Sequence, residues 1–171
     1  RFEVVTGVQT CALPICLIKN VITMENYEMR LHLKWKSEGI SIKALTEILN
    51  HFDSLNSHLE QHHKPDAKSS LIIKEVRKGS IEFILLSTAV KSIPAIWKLF
   101  KEIYDYKKNN GEKPNYELAA LRLILNFISS CRGNHVTFEI AVENELNRVF
   151  DAEFLLELKT EIEAWINKKE I

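Results

Sequence analysis

The sequence predicts an α+β fold: a mostly antiparallel sheet of about four to five strands, covered by about four helices, in a single domain. Three observations point there. Apolar and polar residues alternate over residues 27–36 and again over 135–142, the period-two pattern of half-buried strands. Arg77-Lys78-Gly79 separates two β-rich runs at hairpin spacing. Four further stretches repeat their apolar residues at helical intervals.

Taken in order, the first strand sets Tyr27, Met29, Leu31, Leu33 and Trp35 against Glu28, Arg30, His32, Lys34 and Lys36. Gly39 ends it, and Ser41 is placed to cap a helix striped by Leu45, Ile48, Leu49, Phe52, Leu55 and Leu59. Polar residues 62–66 are expected to be a surface loop. Strands follow at residues 70–76 and 80–86, with Gly79 supplying the backbone freedom their tight turn requires. Ile93, Ile96, Trp97, Phe100, Ile103 and Tyr104 then define a helix expected to start near Ser92. Pro94 suits its first turn, because the amide that proline lacks has no partner there. Asn109, Asn110, Gly111 and Pro114 mark a loop before a more apolar third helix at about residues 116–130. A strand over 135–142, a short return strand over 146–150 and a final helix capped by Asp151 complete the chain.

Residues 5–15 read as translated sequencing-adapter DNA, so residues 1–23 are expected to be non-native and disordered, and residues 24–171 to form the domain. Met24 is the expected start. Gln9, Thr10 and Pro14 interrupt what would otherwise pass for a secretion signal. Without residues 1–23 the chain keeps 21 basic and 22 acidic residues, a balance that offers nucleic acid no bulk attraction. Nucleic acid is therefore not an expected partner. Cys131 is the one cysteine outside the leading segment, which leaves no internal disulfide to form and makes a cytoplasmic location the expectation. No membrane span is expected, since Lys91, Pro94 and Lys98 break the best apolar run.

Few residue groups suggest chemistry, and no cofactor is expected. On an ideal helix His51, His58 and His62 share one face, a spacing compatible with zinc ligation. Leu59 stands where a metalloprotease helix needs glutamate, so that motif is absent. Arg132 beside Cys131, with His135 nearby, outlines a reactive-thiol arrangement, though a small side chain closing a buried helix explains the same residues. The helix at residues 92–108 carries lysines on one face and aromatics on the other, a pattern of membrane-surface helices and of helices that cover a sheet, with the covering role favoured here.

Val76-Arg77-Lys78-Gly79-Ser80-Ile81 sits in a strand-helix-hairpin arrangement over residues 27–104. That half of the chain resembles uncharacterised bacterial and phage-associated α+β domains, adaptor-like modules of conflict and signalling systems. The resemblance implies an interaction role linked to a mobile element or defence locus, and it brings no catalytic residues. The expected function is thus a non-enzymatic protein-interaction or self-association module, with a protein or a second copy as partner. If contact residues are named they are Trp35 and Trp97, because aromatic anchors dominate interface energetics when exposed, although burial in the core is the stronger expectation for both. A peripheral membrane protein docking through residues 92–108 is the alternative, and a metal-binding protein using the histidine stripe is the third reading.

Overall fold

The structure, a computed structural model, describes residues 28–36, 39–63, 69–87, 95–142 and 146–170, without the side chains of residues 62, 63, 69, 70, 86 and 87. The readings of residues 1–23 as non-native, of Met24 as the start, and of Ser92 and Pro94 as the opening of a helix lie outside the described residues. In chain order the elements are β1 (Glu28–Trp35), α1 (Ile42–His63), β2 (Ser69–Arg77), β3 (Ser80–Ser87), α2 (Ala95–Lys108), α3 (Leu118–Gly133), β4 (Val136–Val142), β5 (Arg148–Phe150) and α4 (Ala152–Lys169). Among the described residues the strands form one antiparallel sheet in the order β2-β3-β1-β4-β5, an α+β architecture as the alternation and the helical stripes predict.

β1 lies at the centre because its two edges pair with β3 and β4, Leu31 facing Phe83 on one side and Ile140 on the other. Since side chains alternate along a strand, these pairings gather Met29, Leu31, Leu33, Ile81, Phe83, Leu85, Val136, Phe138 and Ile140 on one buried face. All four helices close over that face with their own apolar stripes, forming one continuous core. Phe100, Phe127, Phe138, Phe150 and Phe154 meet at its centre, with Phe138 and Phe150 stacked 4.5 Å apart. The opposite face carries charge. Lys34 reaches Glu139 at 2.7 Å and Lys74 reaches Glu82 at 3.4 Å, so it remains a solvated surface.

Helix ends follow local chemistry. Ser41 Oγ accepts the Ala44 amide at 3.1 Å, and Asp151 Oδ1 accepts the Phe154 amide at 2.8 Å, each satisfying a donor that a first turn leaves unpaired. α1 continues through His63, past the point where a polar loop is expected, and α3 starts at Leu118 because Glu117 adopts an extended cap conformation. Lys78 and Gly79 make the β2–β3 turn, with Gly79 at φ +80°. The Trp35 amide donates to the Gly79 carbonyl at 2.9 Å, which ties this turn to the end of the central strand.

Candidate functional site

β2 and β5 are the two edges of the sheet among the described residues, and they differ in length. β5 is three residues long, and a short edge offers little backbone for another strand to pair with. β2 is nine residues long. Its register explains what it exposes: Leu71, Ile73 and Val76 stand opposite Leu85, Phe83 and Ile81, so they belong to the helix-covered face. Leu71 still packs against the core, but the helix layer does not extend over the other two, and Ile73 and Val76 are 59% and 66% exposed. On the other face Ile72, opposite Ile84, is 48% exposed.

A bulge between Ile73 and Glu75 produces this alignment. Residues three apart on a regular strand point to opposite faces; the extra residue Lys74 restores Ile73 and Val76 to the same one. Lys74 and Glu75 then sit side by side at the middle of the edge. Lys74 Nζ lies 3.8 Å from Glu28 and 3.4 Å from Glu82, and Glu75 accepts a 2.6 Å bond from Arg77 Nε. The Arg77 hydrogen bond is the main reason that the Glu75 carboxyl lies below the usual carboxylate range.

A second feature is a groove of about 350 Å³ lined by residues of α1, α2 and the segment that leads into α3, among them His58, Lys98, Glu102, Tyr116 and Glu117. His58 Nε2 lies 2.6 Å from Glu117 Oε1, and since a carboxylate only accepts, the ring carries its proton on that nitrogen. Tyr116 donates to Glu102, whose other oxygen lies 3.8 Å from Lys98. Burial, and then this bond, push the Tyr116 phenol well above its ordinary value. The groove is therefore a set of mutually engaged polar groups that fasten residues 115–117 to α1 and α2. Separations of 59 and 14 residues between partners kept it from view in the sequence.

The expected site residues are dispersed. Trp97 is 1% exposed within the core, where the helical spacing of the α2 apolar stripe places it, so it offers no surface contact in this fold. Trp35 is half-buried at the end of β1. His51 is half-buried on α1, His58 engages Glu117, and the His62 side chain lies outside the described residues. Among the described residues no group of three histidine, cysteine or carboxylate side chains is arranged to hold a metal. The apolar face of residues 95–108 that would enter a membrane is occupied by Ile96, Trp97, Leu99, Phe100 and Ile103, all buried. No described helix is long and apolar enough to cross a membrane. Cys131 is buried, and burial pushes its thiol far above the ordinary range, which suits a packing role and opposes a nucleophilic one.

Arg148, not among the expected site residues, is buried in β5 with its guanidinium 5.8 Å from the Trp97 ring and 5.4 Å from the Tyr104 ring. Its Nη1 donates to the Leu146 carbonyl at 2.7 Å, and Nη2 lies 3.6 Å from Asp105. The signal was an arginine two residues before Phe150, on the inward face of a strand. The cation thus braces α2 against the short edge strand.

The chain matches no protein-family model, no curated protein and no solved structure.

Proposed function

We propose that this chain is a non-catalytic protein-interaction module that works by offering the β2 edge to an extended strand of a partner. The observation carrying this reading is a nine-residue strand that, among the described residues, forms an edge of the sheet and leaves Ile72, Ile73 and Val76 exposed on its two faces. Strand addition draws affinity from main-chain hydrogen bonds and specificity from alternate side chains, and β2 offers both. The other polar groupings serve the fold: the His58 groove anchors a loop, and Arg148 braces a strand.

Selection from a displayed library of extended peptides tests the proposal. Enriched peptides should bind the wild type and lose at least tenfold in affinity on Ile73→Lys/Val76→Lys, but not on Leu156→Lys, an exposed apolar position on α4. Peptides indifferent to the β2 substitutions would contradict it.

A further inference from the structure

We infer that the occupant of the β2 edge is a second copy of the same edge, paired antiparallel about a twofold axis that passes between Lys74 and Glu75; this rests on the edge-pairing reading above. A twofold contact is self-complementary by necessity, so each residue must suit the one it meets across the axis. β2 meets that requirement at three successive positions. Lys74 faces Glu75 of the second copy, placing opposite charges together twice. Ile73 faces Val76, and the bulge that puts both on the helix-covered face makes this apolar match available. Ile72 faces Arg77 on the charged face, where the arginine stem can cover the exposed isoleucine.

A lysine and a bulge on an edge strand ordinarily deter pairing. Here they deter every register that leaves Lys74 beside an apolar residue or another lysine, and they favour the one that gives it Glu75. Opposite charges directly across an antiparallel pair stabilise it, and like charges destabilise it. The product is a continuous ten-stranded sheet built from two five-stranded ones. Its seam is a single pair of strands, smaller than the roughly 1,200–2,000 Å² of a standard stable interface. Association is therefore weak and reversible, with a dissociation constant in the micromolar range or above.

Sedimentation velocity on the full chain tests the register with two charge variants. Lys74→Glu sets a new carboxylate against Glu75 of the second copy, and Glu75→Lys sets a new ammonium against its Lys74, so each variant alone should dimerise at least tenfold more weakly than the wild type. Mixed, they pair glutamate with lysine at both positions, and dimer should return at the concentrations where the wild type forms it. A second pair of variants, in a Cys11→Ser/Cys16→Ser background, reads geometry without changing charge. Ile73→Cys and Val76→Cys should cross-link with each other under mild oxidation and neither with itself. In that register each cysteine lies about 10 Å along the strand from its own counterpart, beyond the roughly 7 Å Cα separation a disulfide spans. A wild type that stays monomeric up to millimolar concentration, a mixture no more associated than its components, or homotypic cross-links would overturn the proposal. If peptides selected from the library still require Ile73 and Val76, the edge-pairing reading survives that failure; if they do not, both fall.

Discussion

The Trp35 amide donates to the carbonyl of Gly79 at 2.9 Å, so the last residue of the central strand holds the turn of the edge hairpin. Gly79 has φ +80°, and a Cβ there would lie 3.3 Å from the Trp35 carbonyl oxygen. Gly79→Ala should therefore cost about 1–2 kcal/mol from the left-handed backbone alone. Urea denaturation of the two proteins measures it, and an unchanged midpoint would mean that the turn is not held in this way.

Packing at the centre of the core gives a larger effect. Phe138 touches Phe100, Phe127 and Phe150, and its removal leaves a cavity that these rings cannot close. Phe138→Ala is expected to cost about 3–5 kcal/mol, a large share of the ~5–15 kcal/mol that holds a typical domain folded. Val149→Ala, on the exposed face of the neighbouring strand, should change stability by no more than about 0.5 kcal/mol. Paired denaturation curves read both, and comparable losses at the two positions would contradict the assigned faces.

Tyr116 sets an alkaline limit. Burial, with the bond to Glu102 second, raises its phenol above the value of an unfolded chain, ~10. The folded state thus keeps a proton that the unfolded state releases. This contribution is complete below about pH 10 and is lost as pH rises further. Thermal melts from pH 8 to 11 should show a fall in stability above pH 10 that is shallower in Tyr116→Phe. Tyr106, half-buried and raised first by its hydrogen bond to Glu161, should leave a smaller residual slope. Identical slopes in wild type and Tyr116→Phe would exclude this origin.

Cys131 should be inert in the native protein. In a Cys11→Ser/Cys16→Ser background an aromatic disulfide reagent should label no thiol in native buffer, and one per chain in guanidinium. Rapid native labelling would place the side chain at the surface and revive a reactive role.

The alternation of residues 28–34 and 136–142 made β1 and β4 legible, because each buries one face and wets the other. Asp151 marked the start of α4 through local chemistry that needs only its own first turn. β2 was legible as a strand, but its position was not: consecutive Leu71, Ile72 and Ile73 resemble a strand buried on both faces, whereas here two of them face solvent. Strand order depends on pairings over long separations, such as Leu31 with Ile140, which no local pattern encodes. The same limit concealed the His58–Glu117 contact.

Hydrogen exchange followed across a dilution series tests the role of β2 most directly, because the two sheet edges act as each other's control. As the full chain is concentrated from micromolar to near-millimolar, backbone amides of residues 69–77 should gain protection, while those of residues 148–150 exchange as before. Protection in β2 that does not change with concentration, or a gain confined to β5, would contradict the account.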